Sequence, residues 1–103
     1  MSKTKCKTKA EKLHLARVAE LGCIVCRNLH YGDTPAEVHH CSTGTGVSGR
    51  ASHHSVIPLC HAHHRTGGHG VAVHAGRRTW EDKFGTEDEL LTQTLIELGV
   101  FYA

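Results

Sequence analysis

Residues 55–65 read SVIPLCHAHHR, and this stretch decides the fold that the sequence predicts. Its first five residues are mostly apolar and partly β-branched, which is typical of a short strand. The earlier run EVHHC at residues 37–41 is also interpreted as a short extended segment, and a loop rich in Gly, Ser and Thr at residues 42–52 joins the two. Two short strands around such a loop indicate an antiparallel hairpin, in which Pro58 requires an edge position or the end of the ladder.

Residues that commonly bind zinc occur at matched spacing on both sides of this hairpin. The two pairs are Cys23 with Cys26, and Cys60 with His63. Zinc prefers four thiolate or imidazole ligands, and a pair separated by two residues lets one turn supply half of the tetrahedron. The two pairs therefore predict a structural Zn²⁺ site that ties the hairpin to the first pair. His61 or Cys41 could replace His63 as the fourth ligand.

The composition explains why the fold needs such a structural metal site. A chain of 103 residues with 5% aromatic residues forms one domain with a small apolar core, and domains of this size commonly need a metal or disulfides. The five cysteines are an odd number, and no apolar segment resembles a signal peptide or a membrane span. We therefore expect a cytosolic protein that uses zinc rather than disulfides, has no membrane association, and has a free thiol at Cys6.

Helices are predicted on both sides of the hairpin. Apolar residues recur near helical spacing from Ala10 to Leu21, and Gly22 follows where a C-terminal cap belongs. Regular structure is expected again from about His74 to Phe84. The capping box TEDE at residues 86–89 then opens a last helix that ends at Gly99. The acids of this box suit the positive end of the helix dipole.

The charge distribution is uneven, although the formal net charge is only +2. Residues 1–26 carry six Lys or Arg against two acids, whereas residues 81–103 carry one against six. Residues 1–9 alternate Lys with small polar residues, which predicts a flexible basic arm outside a domain of residues 10–103. Basic residues indicate a polyanionic partner, although a solvated surface explains each of them equally well. The candidate phosphate contacts are Lys3, Lys5, Lys7, Lys9, Arg50, Arg65, Arg77 and Arg78.

Histidines surround the hairpin in positions that suit hydrolytic chemistry. His39 and His40 are adjacent on the first predicted strand, so their side chains point to opposite sides of it. One ring can hold a metal ion while the other takes a proton from water, and His64 directly follows the second zinc pair. Hydrolysis of a phosphodiester bond needs both groups. The residues interpreted as ordinary polar or core residues are His14, His30, His53, Trp80, Phe84 and Phe101.

The order of these motifs resembles a known superfamily of nucleases. A CxxC pair is followed by the His-His strand, by PLCHAHHR at residues 58–65 and by HAGRRTWEDKFG at residues 74–85. This order resembles the His-Me finger (HNH, ββα-metal) endonucleases and, within them, the phage recombination-enhancement (Ref) family of RecA-dependent nucleases. The resemblance covers about residues 21–91. It implies an α+β fold, namely a small zinc-stapled ββα-metal domain with flanking helices.

The resemblance also implies roles for individual residues. The general base it implies is His40, and the ligands of a catalytic Mg²⁺ or Mn²⁺ are His39, His64 and His74. His69 is the alternative to His74, because the glycine-rich insertion near it shifts the spacing. Many related enzymes orient the base with Asn, and this chain has His54 or Ser55 instead.

The expected function is therefore metal-dependent cleavage of DNA. The resemblance implies phosphodiester hydrolysis with 5′-phosphate and 3′-hydroxyl products, and a RecA-type recombinase filament as a partner. It also implies a phage or prophage gene product that acts in recombination or repair in the cytoplasm of a bacterial host. The competing interpretation is a non-catalytic zinc-binding adaptor for DNA or protein. It explains the zinc ligands and the basic arm, but not the placement of His39, His40 and His64.

Overall fold

The computed structural model describes residues 7–42 and 53–100. Its elements are helix α1 (Lys9–Glu20), short helix α2 (Ile24–Asn28), strand β1 (Glu37–His40), strand β2 (Val56–Leu59), a π-helical turn (Ala62–Thr66), a 3₁₀ turn (Val73–Ala75), helix α3 (Arg77–Phe84) and helix α4 (Glu87–Leu98). The fold is therefore α+β, with helices around a two-stranded sheet, as predicted. None of the helices in these two ranges combines the length and hydropathy needed to cross a membrane.

The two strands form the predicted antiparallel pair. Val38 lies opposite Pro58 in the ladder, and His39 lies opposite Ile57. Within the described ranges the sheet has only these two strands, so Pro58 removes a backbone donor without interrupting a further ladder. Each strand is one residue shorter than the predicted run. The predicted loop from residue 43 onward lies outside the described residues.

Side-chain caps define the first residues of the two longest helices. The Thr86 hydroxyl accepts from the Glu89 amide, and the Glu89 carboxylate accepts from the Thr86 amide, which confirms the predicted capping box. Thr8 and Glu11 form the same reciprocal pair at the start of α1. Since α1 begins at Lys9, this residue belongs to the helix and not to the predicted arm.

A glycine ends α1 and directs the chain into the first zinc pair. Gly22 has a φ of 78°, a conformation that side chains with a Cβ rarely adopt. Cys23 follows, and its amide donates to the carbonyl of Thr34 at 2.9 Å. A left-handed glycine also ends α4, as predicted. The predicted regular stretch at residues 74–84 is divided at Gly76 into the 3₁₀ turn and α3.

The core lies between the sheet and the helices. Ile24 on α2, Ile57 on β2 and Trp80 on α3 are fully buried. Phe84, one helical turn after Trp80, packs against this cluster in a partly buried position, so the predicted core role of both aromatic residues is confirmed. Phe101 lies outside the described residues. The cysteines of both predicted zinc pairs belong to the same buried cluster, which places the metal ligands inside the core.

Candidate metal centres

Four buried side chains converge where α2, the end of β2 and the π-helical turn meet. They are Cys23, Cys26, Cys60 and His63, and their ligand atoms all lie within 4.8 Å of one another. Nδ1 of His63 lies between 3.2 and 3.7 Å from the three sulfur atoms, and the sulfurs of Cys26 and Cys60 are 3.9 Å apart. Tetrahedral zinc, with bonds of about 2.3 Å to sulfur and about 2.0 Å to nitrogen, needs about 3.8 Å between sulfurs and about 3.6 Å between sulfur and nitrogen. This Cys3His cluster therefore has the donors and the size of a zinc site.

Local backbone geometry brings each pair of ligands together. Cys23 caps the N-terminus of α2, and its sulfur accepts a hydrogen bond from the amide of Cys26 at 3.4 Å. The tight turn predicted for this pair is thus the first turn of a short helix. At the second pair, the amide of His64 donates to the carbonyl of Cys60 at 2.9 Å and closes the turn that carries His63.

Burial controls the chemistry of the Cys3His cluster. It raises the pKa of the Cys23 thiol to about 12 and lowers the pKa of His63, because both charged forms lose hydration. A bound divalent cation stabilises thiolates and replaces their protons. The Phe84 ring lies edge-on to His63, with 5.2 Å between ring centres. Burial therefore disfavours the Cys23 thiolate unless a cation lies beside it.

The two alternative ligands lie outside this cluster. His61 is exposed, and its Nδ1 is hydrogen-bonded to the hydroxyl of Thr66 at 3.1 Å. Cys41 is fully buried directly after β1, but it is not among the mutually close ligand atoms. Burial and the negative charge of Glu87 raise the pKa of Cys41 to about 12. His63, rather than His61 or Cys41, is thus the fourth member of this cluster of close ligand atoms.

A second cluster of ligand atoms consists of histidines from three elements. His39 on β1, His64 in the π-helical turn and His74 in the 3₁₀ turn have ring nitrogens within 4.8 Å of one another. Nε2 of His64 lies 3.0 Å from Nε2 of His74. Two nitrogen ligands at right angles around an ion, each about 2.1 Å from it, also lie about 3.0 Å apart. His69 instead is exposed and hydrogen-bonds through Nδ1 to the carbonyl of Ala75 at 3.2 Å, so it does not join this three-histidine cluster.

Glu87 is a fully buried carboxylate beside the three-histidine cluster. Its Oε2 accepts a hydrogen bond from Nε2 of His39 at 2.6 Å, and its Oε1 accepts from the amide and the hydroxyl of Ser42 at 2.8 and 2.9 Å. Burial alone would raise the pKa of Glu87, but the hydrogen bonds from His39 and Ser42 outweigh it and lower that pKa to about 2. The position of Glu87 in the first turn of α4 further favours its negative charge.

Glu37, at the start of β1, contacts a second ligand of the same cluster. Its Oε1 accepts from Nδ1 of His64 at 2.6 Å and from Nε of Arg65 at 2.8 Å, and its Oε2 accepts from Nη2 of Arg65 at 2.8 Å. The bonds from Arg65 and then His64 lower the pKa of Glu37 to about 2. Glu37 and His39 are two residues apart on one strand, so they share a face. β1 thus supplies both one member of the three-histidine cluster and the carboxylate that holds another member.

His40 follows His39 on β1 and points to the opposite side of the strand. Burial, followed by the charges of neighbouring histidines, lowers the pKa of His40, so its ring is neutral and able to accept a proton near pH 7. Nε2 of His40 lies 3.0 Å from Nδ1 of His53, whereas His54 packs against the ring of His14. His53, interpreted from the sequence as an ordinary polar residue, is therefore the histidine that contacts His40.

The basic residues predicted to contact phosphate differ in their interactions with nearby carboxylates. Arg65 forms the paired hydrogen bonds with Glu37, and Arg77 donates to the Ser42 hydroxyl and lies 3.8 Å from Glu87. Their side chains remain 57% and 45% exposed, so both can still meet a ligand in solvent. The other described candidates are exposed Lys7, Lys9 and Arg78. The candidates outside the described residues are Lys3, Lys5 and Arg50.

The sequence-based interpretation gives no metal-binding or catalytic role to three residues of these sites: Glu37, His53 and Glu87. It explains Glu87 by the helix dipole alone. The hydrogen bond from His39 to Glu87 spans 48 positions, and that from His64 to Glu37 spans 27, so no short spacing signals either. The sequence does contain one signal for Glu37. Side chains alternate between the two faces of a strand, so residues 37 and 39 of β1 lie on the same face.

The fold and these two clusters define a small α+β domain with the donor sets of two metal sites, one an enclosed Cys3His cluster and one a partly open histidine cluster. Residues 7–98 match the family described as recombination enhancement, RecA-dependent nuclease, and the chain belongs to this family. The match confirms the resemblance to the recombination-enhancement family, whose description indicates an enzyme that acts as a nuclease on DNA and depends on RecA. No curated protein matches the sequence.

Proposed function

We propose that this protein is a metal-dependent endonuclease of the His-Me finger (HNH) type that hydrolyses phosphodiester bonds in DNA. The observation that carries the proposal is the convergence of His39, His64 and His74, with His40 next to one of them in the chain. A base and a metal site on adjacent residues of one strand can act on the same phosphate group. An adaptor that only binds DNA or protein has no need of this arrangement.

In this proposal, β1, β2 and the π-helical turn correspond to the ββα-metal unit. The helical part is a turn of five residues, which is shorter than an ordinary helix. Turns of this kind occur frequently at functional sites. The ion proposed for the Cys3His cluster is a structural Zn²⁺, because protein atoms supply all four ligands and leave no position for water or substrate.

His39, His64 and His74 would hold the catalytic ion, which we take to be Mn²⁺ or Mg²⁺. Such an ion, when bound, supplies positive charge that stabilises the phosphate and the 3′ leaving oxygen in the transition state. Three imidazoles favour Mn²⁺, since Mg²⁺ prefers oxygen ligands. The two nearby carboxylates already accept hydrogen bonds from ring nitrogens. Manganese is therefore expected to support more activity than magnesium.

His40 would remove a proton from the attacking water. Because burial lowers the pKa of His40, the neutral ring needed for this step predominates at pH 7. The proton passes from water to a ring nitrogen while the water oxygen attacks phosphorus in line with the leaving 3′ oxygen. The bond between phosphorus and the 3′ oxygen breaks, and that oxygen takes a proton from solvent, so the products carry 5′-phosphate and 3′-hydroxyl ends. His53, at 3.0 Å from His40, would keep the ring of the base oriented.

DNA binding is assigned to basic residues near the chain start and around the site. The proposed phosphate contacts are Lys3, Lys5, Lys7, Lys9, Arg50, Arg65, Arg77 and Arg78. Arg65 and Arg77 have a particular place among them, since each contacts a carboxylate that also holds a cluster histidine. They would therefore bind phosphates next to the one that is cleaved.

The biological setting belongs to the same proposal. We infer a RecA-type recombinase filament as the partner that presents or exposes the DNA, because the family description joins nuclease activity to RecA. We further propose a phage or prophage gene product that works in the cytoplasm of a bacterial host during recombination or repair.

A cleavage assay tests the proposed function. Zinc-loaded protein is incubated with plasmid and with single-stranded DNA, with and without a RecA filament, in Mg²⁺ and in Mn²⁺. We expect cleavage in at least one of these conditions, and a loss of about a hundredfold or more in His40→Ala. His61→Ala, which removes an exposed histidine outside both clusters, is the matched control and should cleave at the wild-type rate. Wild-type protein that binds DNA but cleaves it in none of the conditions would instead be an adaptor.

A further inference from the structure

Two histidines of the three-histidine cluster are each held by a carboxylate from a different element. Glu37 on β1 accepts from His64, and Glu87 on α4 accepts from His39, both at 2.6 Å. A neutral imidazole has one N–H and one lone pair, so the partner of one nitrogen decides what the other nitrogen can do. The consequences differ for the two rings, because different nitrogens are held.

For His64, the nitrogen bonded to the carboxylate is Nδ1. An ionised carboxylate only accepts hydrogen bonds, so Nδ1 must carry the proton and Nε2 carries the lone pair. Nε2 is also the atom that lies 3.0 Å from Nε2 of His74, inside the cluster. Glu37 is itself fixed by the paired hydrogen bonds from Arg65. The His64 lone pair is therefore directed at the other ligands.

For His39, the nitrogen bonded to the carboxylate is Nε2, so the lone pair is on Nδ1. This is the opposite tautomer to that of His64. Glu87 has no freedom to follow a rotating ring, because its other oxygen accepts two hydrogen bonds from Ser42 and the residue is fully buried. The two carboxylates thus select different tautomers at two neighbouring ligands.

His74 provides an internal contrast. It is exposed, and within the described residues no carboxylate is hydrogen-bonded to it. Its Nε2 faces the lone pair of His64 at 3.0 Å, so without a metal His74 donates from this nitrogen and must release or turn away this proton before it can act as a ligand. Of the three histidines, two are held by carboxylates and one is not.

We propose that Glu37 and Glu87 are positioning residues that select the tautomers of His64 and His39, and so set which nitrogen each ligand presents to the metal. This inference rests on the proposed metal site, but neither the family description nor the sequence motifs give the two residues a part in metal binding. Partners of this kind orient ligands and increase their basicity, and their loss commonly lowers metal affinity by about 10–100-fold.

Two measurements on zinc-loaded protein test the inference. The first is a long-range ¹H–¹⁵N correlation spectrum of the histidine side chains, assigned with His39→Ala and His64→Ala, before any second metal is added. We expect His64 protonated at Nδ1 and His39 protonated at Nε2. The second is a titration with Co²⁺ followed by visible absorption, in which thiolate-to-cobalt charge transfer would reveal exchange at the Cys3His cluster.

The variants are Glu37→Ala, which removes a half-exposed carboxylate at the end of a strand, and Glu87→Gln, which keeps the shape of the buried one. Glu97→Ala is the matched control. It removes a carboxylate that also forms paired hydrogen bonds with an arginine, Arg27, but lies about 15 Å along α4 from Glu87. We expect about 10–100-fold weaker Co²⁺ binding and mixed tautomers at the corresponding histidine in the first two variants, and neither change in the control.

The outcomes separate the inference from the proposed function. Mixed tautomers at His64 in the wild type, or wild-type tautomers and Co²⁺ affinity in Glu37→Ala, would overturn the positioning role. Should Glu87→Gln fail to fold, Glu37→Ala decides the question alone. A wild-type protein that shows the expected tautomers but binds no second metal would contradict the proposed catalytic ion, while it would support the positioning of the rings.

Discussion

The Cys3His cluster is enclosed by protein, whereas the three-histidine cluster is open on one side. No ligand of the first is more than 8% exposed, but His74 in the second is exposed to solvent. The first has three thiols and no carboxylate among its ligands, and the second has only imidazoles with carboxylates hydrogen-bonded to them. Four protein ligands complete a structural ion, whereas three leave positions for water and substrate. A change in the open cluster is therefore expected to abolish the proposed chemistry and leave stability intact, whereas a change in the enclosed cluster is expected to abolish both.

The largest effect is expected for Cys60→Ala. Loss of one ligand opens the tetrahedron and separates β2 from α2, so the protein should lose its zinc and its cooperative melting transition. Zinc content by atomic absorption and thermal unfolding by circular dichroism measure both. Cys41→Ala removes an equally buried thiol outside the cluster, and it should keep one equivalent of zinc with a Tm only a few degrees lower. Retention of zinc by Cys60→Ala would show that the enclosed site has other ligands.

The next largest effect, on the open cluster alone, is expected for His64→Ala. The substitution removes a proposed ligand of the catalytic ion, so cleavage should fall by about a hundredfold or more. Zinc content and Tm should stay close to wild type, because His64 is not a ligand of the Cys3His cluster. His69→Ala is the control, since that exposed ring lies outside the cluster. If His64→Ala cleaved DNA at a rate within tenfold of wild type, the three-histidine cluster would not be the catalytic site.

A smaller effect is expected for His53→Ala, which changes neither set of ligands. His40 would lose its neighbour at 3.0 Å and become less well oriented, so kcat should fall about tenfold, a part of what a general base contributes. KM and zinc content should not change. Steady-state kinetics of His53→Ala and His53→Asn would sharpen the comparison, because Asn can restore a hydrogen bond to His40. Equal kcat values in the wild type, His53→Ala and His53→Asn would show that His53 does not contribute to catalysis.

The smallest effect is expected for removal of residues 1–6, which should perturb neither cluster. The deletion removes Lys3 and Lys5 but keeps Thr8, the cap of α1, so the fold should survive. DNA affinity should fall several-fold, and the slope of log affinity against log salt should decrease by up to about 2. Filter binding over a range of salt concentrations measures this slope, with Lys3→Ser/Lys5→Ser as a variant of unchanged length. An unchanged slope in both proteins would mean that these lysines do not contact DNA.

The sequence predicts those parts of the fold and site that depend on short spacing. The Cys23 and Cys60 pairs each place two ligands on one turn, and the Thr86 capping box involves residues three apart. Local geometry determines such patterns, so the members of the Cys3His cluster and the first residue of α4 can be predicted from the sequence alone. His39 and His64 come from two elements, but each could be placed by its position next to a recognised motif.

The remaining features depend on contacts that sequence spacing does not encode. Glu87 has a sufficient local explanation as a helix-dipole residue, and only the packing of α4 against the sheet, through β2, reveals its bond to His39. The sequence gives no reason to include His53 in the site, because a lone histidine is usually an ordinary hydrogen-bonded polar residue. Its contact with His40 depends on the conformation of the hairpin. The π-helical turn has no established sequence pattern, although it sets the directions of both His63 and His64.

That turn has a consequence for how the protein matures. His63 and His64 are consecutive residues, yet the first belongs to the Cys3His cluster and the second to the three-histidine cluster. In the proposed function the Cys3His cluster holds zinc, and a newly made chain without it would leave His63, and with it the adjacent His64, without a fixed position. The three-histidine cluster would then assemble only after zinc has bound, so the proposed nuclease is expected to be inactive until that step.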